Sequence, residues 1–195
     1  MDRDVGNIAL IGYRATGKTR VARALAERLG WTHVDTDEDI QRRWGRSIRE
    51  IFAEDGEQAF RDLESQVIGI WCDWRRVVLS LGGGAVLRER NRRQLRECSA
   101  MVWLQAAPEE IWRRLQGDQA TATQRPPLTE MSGYDEIVAV LQQREPIYRQ
   151  AADLEIQTDN KPPPQIADEI VSLLSDLTHL PEIQSRIRES LESRE

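Results

Sequence analysis

Residues 8–25 read IALIGYRATGKTRVARAL: four apolar positions, a glycine, four mixed residues, then Gly17, Lys18 and Thr19 leading into a helical pattern. Gly12, Gly17, Lys18 and Thr19 fit the spacing GxxxxGK followed by Ser or Thr, between a short apolar strand and an amphipathic helix. Triphosphate binding explains each residue type. Glycines let the backbone curl so that successive N–H groups point inward at a helix N-terminus, forming a nest for an anion. Lys18 is placed to reach the β- and γ-phosphates, and the Thr19 hydroxyl to sit on Mg²⁺. Ala15 stands where many such loops carry glycine, which leaves the backbone less freedom.

Outward from this turn, short apolar runs alternate with amphipathic stretches, the pattern of a parallel sheet covered by helices. Strands are expected at 7–11, 31–34, 77–81, 101–104 and 154–157. Helices are expected at 18–29, 91–97, 108–115, 134–151 and 164–174, with a more broken helical region over 37–74. The fold class is therefore α/β: a three-layer α/β/α arrangement on a central five-stranded parallel sheet that carries a phosphate loop. One domain is expected over residues 1–175. Within it, residues 117–129, GDQATATQRPPLT, lack any period and read as a mobile surface loop. The charged tail, residues 176–195, reads as a solvated helix outside the core.

The bulk composition limits the alternatives. The chain has 195 residues, 39% of them hydrophobic, which is enough for one well-buried domain. A net charge of -6 argues against a nonspecific nucleic-acid binder, so any anionic ligand must be met by locally placed arginines. Cys72 and Cys98 are too few and too widely spaced for a disulfide framework and read as reduced packing residues. His33 and His179 belong to no ligand cluster. Acidic residues run straight into the first strand with no secretory pattern and no membrane span, so a cytoplasmic location is expected. The six tryptophans, Trp31, Trp44, Trp71, Trp74, Trp103 and Trp112, read as core or rim packing.

A phosphate loop does not choose among kinase, ATPase and GTPase. The base-reading NKxD of a GTPase is not matched by Asn160-Lys161, which prolines follow. After the second strand, Asp35 and Asp37 are one residue apart at the carboxyl end, where ligands gather in open α/β sheets, and continued strand alternation points both to the same side. One can support Mg²⁺ through its water shell and the other contact an acceptor hydroxyl; alternatively both simply cap the next helix. Arg61 and Glu64 share a helical face and can pair, as an ordinary surface ion pair would. Gly82, Gly83 and Gly84 end an apolar strand, as expected of a close backbone approach to a ligand or of a tight strand-to-helix turn.

Taken in order, GYRATGKT (12–19), DTDEDI (35–40), FAEDGEQAFRDLE (52–64), LSLGGGAV (79–86), RPPL (125–128) and REPIY (144–148) resemble the shikimate kinase family. The resemblance covers roughly residues 7–174. It implies transfer of the ATP γ-phosphate to the 3-hydroxyl of shikimate, giving shikimate 3-phosphate and ADP on the route to chorismate and aromatic amino acids. It also implies that Asp37 contacts the reacting hydroxyl, and that Asp35 supports the Mg²⁺ water shell beside Thr19. Arg61, held by Glu64, and Arg144 grip the shikimate carboxylate, and Gly82, Gly83 and Gly84 line the ring. Gly12, Tyr13, Arg14, Ala15, Thr16, Gly17, Lys18, Thr19 and Arg20 hold the nucleotide. Arg125 closes over the phosphates, so Lys18, Asp37 and Arg125 form the catalytic set. Arg114 stacks on adenine, with the DNKPPP turn (159–164) as the other wall.

The chain departs from the family pattern in a longer lid that reads QRPPLT. The implied partners are ATP/ADP and shikimate, with no nucleic acid, no membrane and a monomeric chain. Two other readings share the phosphate loop: a kinase for another small polyol acid such as gluconate, and a nucleotide-binding regulatory module without transfer activity.

Overall fold

The computed structural model of the chain describes residues 5–117 and 133–194. Five strands, β1 (Asn7–Ile11), β2 (Thr32–Asp35), β3 (Val77–Ser80), β4 (Ser99–Gln105) and β5 (Leu154–Gln157), form one parallel sheet in the order β2-β3-β1-β4-β5. Nine helices among the described residues connect and cover it: α1 (Lys18–Leu29), α2 (Thr36–Trp44), α3 (Ile48–Glu54), α4 (Gly56–Cys72), α5 (Glu89–Cys98), α6 (Pro108–Gly117), α7 (Tyr134–Ala151), α8 (Pro163–Asp176) and α9 (Pro181–Glu192).

The period-2 alternation of the strands sorts their side chains into two layers. Ile8 and Leu10 of β1, with Val102 and Leu104 of β4, face α1 and α8, where Val21, Leu25, Ile166, Ile170 and Leu174 meet them. Ala9 and Ile11 turn to the opposite layer, against Ile68 of α4, Leu95 of α5 and Tyr148 of α7. Every residue of β1 is buried, as a central parallel strand covered on both faces requires. The phosphate loop leaves the carboxyl end of this central strand, beside the point where the strand order reverses. A third cluster, Ile40, Ile48, Ile51, Phe60 and Val67, packs α2, α3 and α4 into a side lobe next to that edge.

Three expectations are corrected. Asp37 does not continue β2; the strand ends at Asp35, which N-caps α2 by accepting the N–H groups of Asp37 and Glu38. Asp37 therefore sits on a first helical turn, and strand alternation does not set its direction. The tail is not a solvated helix outside the core. Leu180, just before α9, and Ile183 and Ile187 within it are buried against α1 and α8, and Trp31 Nε1 donates to Ser190 Oγ at 2.7 Å. Three apolar residues at spacings of three and four suffice because the groove that receives them is itself apolar. Ile187→Ala is expected to cost about 2–5 kcal/mol in a denaturant titration, the loss typical of a fully buried aliphatic side chain.

The third correction concerns the cysteines. Cys72 ends α4 and Cys98 ends α5, and the packing of those helices brings their Cα atoms to 5.4 Å, where the two residues are paired as a disulfide. Sequence separation said nothing about that approach. Among the described residues no helix is long and apolar enough to cross a membrane.

Candidate active site

The turn between β1 and α1 is built by its glycines. Gly12 has φ +135°, and a Cβ there would lie 2.4 Å from the Leu104 carbonyl oxygen, so no side chain fits. Gly17 caps α1 at φ +94°. Between them Ala15 adopts φ +62° without being glycine, a left-handed conformation that costs about 1–2 kcal/mol. Thr16 Oγ1 donates to the Tyr13 carbonyl at 2.8 Å, and the buried Lys18 Nζ donates to the carbonyls of Gly12 at 2.8 Å and Tyr13 at 2.7 Å. The ammonium thus lies inside the loop, next to where a β- or γ-phosphate would rest.

Beyond the loop opens a cleft of about 660 Å³, lined by Arg14 to Val21, Asp35, Asp37, Arg113, Arg114 and residues 160–163. Thr19 Oγ1 donates to Asp35 Oδ2 at 2.7 Å and lies 3.3 Å from Ser80 Oγ, which gathers hard oxygen donors at its floor. Arg114 is held by Glu110 at 2.6 Å and by the Ala15 and Thr158 carbonyls at 3.2 Å and 3.1 Å. Its guanidinium and the Asn160–Pro163 turn line the same cleft. Tyr13 differs from expectation. Its ring is buried among Ile111, Ile137 and Val140, and it lines the neighbouring pocket rather than the nucleotide cleft.

That neighbouring pocket, of about 350 Å³, has an apolar wall of Ile48, Phe52 and Phe60 and a polar side of Asp37, Arg61, Glu64 and Arg144. The Phe52 and Phe60 rings lie 4.8 Å apart, and the Arg61 guanidinium stands 5.3 Å from the Phe60 centroid. Arg61 is fixed by acids one turn before and one turn after it on the same helical face: Nη1 donates to Glu64 at 3.0 Å and Nε to Glu57 at 3.2 Å. Arg144 Nη1 reaches the Gly83 carbonyl at 3.4 Å, which the Tyr148 hydroxyl holds at 2.5 Å.

The tight-turn account of the triple glycine holds, since a 3₁₀ turn (Ala85–Leu87) follows it, and Gly82 and Gly84 leave room for close side-chain neighbours. A Cβ on Gly82 would lie 2.7 Å from Glu64 Oε1 and 2.9 Å from Asp37 Oδ1. One on Gly84 would lie 2.5 Å from Arg61 Nη2. Gly83 presses its backbone against Arg14 and Gly12 of the phosphate loop. The turn is thus the floor on which the two acids, the arginine and the loop converge.

Burial dominates the electrostatics here. Glu64 is fully buried and its pKa is pushed up to about 7, first by burial, against the pull of Arg61 and with the help of the Asp37 charge. Glu57, Tyr148 and Glu136 were not singled out by sequence. Glu57 was readable four positions before Arg61 on one helix. Glu136, which pairs with Arg14 across 122 positions, carried no signal. Arg125 and most of the expected 117–129 lid lie outside the described residues.

Known proteins resemble this chain over most of its length. The family model described as shikimate kinase matches residues 14–175. A shikimate kinase of Rhodopirellula baltica is 41% identical over 165 residues, covering 85% of this chain and 88% of the relative. One from Moorella thermoacetica is 41% identical over 169 residues, covering 87% and 94%. Among solved structures, the shikimate kinase of Acinetobacter baumannii in complex with shikimate superimposes with a TM-score of 0.82 at 32% identity, covering 90% of this chain and 97% of that one. With the model spanning most of the domain and relatives this similar over nearly their whole length, the chain belongs to the shikimate kinase family.

Proposed function

We propose that this chain transfers the γ-phosphate of ATP to the 3-hydroxyl of shikimate, giving shikimate 3-phosphate and ADP. One observation carries the reading. The phosphate-loop cleft and the pocket holding Arg61 and Arg144 meet at the Asp37 carboxylate. Two guanidinium forks suit a planar carboxylate at one end of a small ring, and the apolar Phe52–Phe60 wall suits the ring itself. Fixing that end leaves one hydroxyl facing Asp37, which accepts its proton or orients it as it attacks phosphorus.

Positioning and charge neutralisation supply most of the rate in such transfers. In this reading Lys18 turns from the loop carbonyls to the β- and γ-phosphates. Thr19 and Asp35 fit a Mg²⁺ site, because a hydroxyl and a carboxylate already joined at 2.7 Å are hard oxygen donors that leave other positions to water and phosphate. When bound, the ion would neutralise phosphate charge.

The decisive assay is coupled ADP release from the purified protein with shikimate, with gluconate and with no acceptor. Shikimate-dependent turnover is the expected result; its absence, or equal turnover with gluconate, would overturn the acceptor assignment. A second prediction isolates the floor of the pocket. The atom a Gly84→Ala methyl would meet is the end of a flexible side chain, so the fold survives while the Arg61 guanidinium is displaced. We expect kcat/KM for shikimate to fall by about 10- to 100-fold with little change in Tm. Unchanged kinetics would remove Arg61 from carboxylate recognition.

A further inference from the structure

Two residues, Asp37 and Arg14, line both cavities. Under the shikimate reading, the phosphoryl group must cross from one cavity to the other past this pair. The group in transit carries negative charge on three equatorial oxygens, so a second anion beside it is a penalty that a cation must offset. Lys18 is held on the nucleotide side by the loop carbonyls. Among the described residues, Arg14 is the cationic residue that lines both spaces.

Its setting is that of a held group rather than a surface charge. The Arg14 side chain is 18% exposed, and one Nη donates to the Glu136 carboxylate on the first turn of α7, itself buried. Arg14 Nε is buried and has no hydrogen-bond partner among the described residues. Behind it, the backbone N–H of Arg14 lies against Gly83. Glu136 therefore restrains the guanidinium while donors remain for another oxygen, in a site shielded from water where each such bond counts for more.

We propose that Arg14 is a further catalytic residue, donating hydrogen bonds to the equatorial oxygens of the phosphoryl group as it crosses, with Glu136 as its positioning residue. In that step a bond forms between the acceptor hydroxyl oxygen and the γ-phosphorus. The bond from phosphorus to the β,γ-bridging oxygen breaks, its electron pair leaves with ADP, and the hydroxyl proton passes to Asp37. Arg14 neither gains nor loses a proton. The inference rests on the activity proposed above.

The test measures kcat, both KM values and ADP affinity for Arg14→Met, Arg14→Lys and the double variant Arg14→Met with Glu136→Gln. It adds formation of the ADP–aluminium fluoride–shikimate complex, which mimics the group in transit. Arg14→Met is expected to lower kcat by about 10²–10³-fold with KM and ADP affinity held within about threefold, and to lose the fluoride complex. Arg14→Lys should fall between. The double variant, which removes the stranded carboxylate and so guards against misfolding, should stay as slow as Arg14→Met. Recovery of kcat in the double variant, or undiminished kcat in Arg14→Met, would overturn the role of Arg14 alone. Absence of shikimate-dependent ADP release from the unaltered protein would overturn the acceptor reading and this inference together.

Discussion

Replacing Asp37 with asparagine is expected to lower kcat by roughly 10²–10⁴-fold while leaving the KM for shikimate and for ATP within about threefold. The amide keeps the shape of the carboxylate, so the seam between the two cavities is preserved and only the negative oxygen is lost. That oxygen is well placed for the role. Asp37 is 7% exposed, and its Oδ1 lies 2.9 Å from where a Gly82 Cβ would stand, so a side chain at Gly82 would push the carboxylate aside. Steady-state kinetics against shikimate, with ADP affinity measured separately, reads the split. An unchanged kcat would exclude Asp37 from the chemistry, and a rise in KM alone would reduce it to a binding contact.

The second large effect concerns Glu64 and pH. Its pKa is raised from the ordinary 4.5 to about 7 in the folded protein, chiefly by burial. Between those values the folded state holds more protons than the unfolded chain, so stability must fall as pH rises. The contribution is fully present below about pH 4.5 and is lost on passing through about pH 7. Over that range it amounts to about 3 kcal/mol, from 1.36 kcal/mol for each pKa unit. Glu64→Gln keeps the hydrogen-bonding shape but does not titrate. Its stability relative to the unaltered protein should therefore improve steadily from pH 5 to pH 8. The same carboxylate competes with an acceptor carboxylate for Arg61, so shikimate affinity should weaken above pH 7 in the unaltered protein and stay flatter in the variant. Denaturant titrations and calorimetry across this range check both; parallel pH profiles for the two proteins would remove Glu64 as the titrating group.

Much of the fold was legible because its signals are local. The strand at 7–11, the helix at 18–29 and the helix at 134–151 coincide with β1, α1 and α7, since alternation, glycine caps and helical period need no distant partner. The broken region at 37–74 resolves into α2, α3 and α4, with a capping box of Ser47 and Glu50 marking the start of one of them. The tail was misjudged for a physical reason. Leu180, Ile183 and Ile187 look sparse in sequence, and only the apolar groove of α1 and α8 makes them core.

The site divides in the same way. Sequence alone determined that a phosphate loop stands between a strand and a helix and that two acids follow the second strand. It also determined that an arginine and a glutamate share one helical face, because backbone curl and side-chain spacing are properties of a few consecutive residues. Tertiary structure decided the rest. It set Asp35 against Thr19, buried Glu64 against Arg61 and Asp37 so that its pKa rises, joined Cys72 to Cys98, and turned Arg14 toward Glu136. Burial and charge neutralisation depend on what lies across the sheet, and the partner of Arg14 is 122 positions away along the chain.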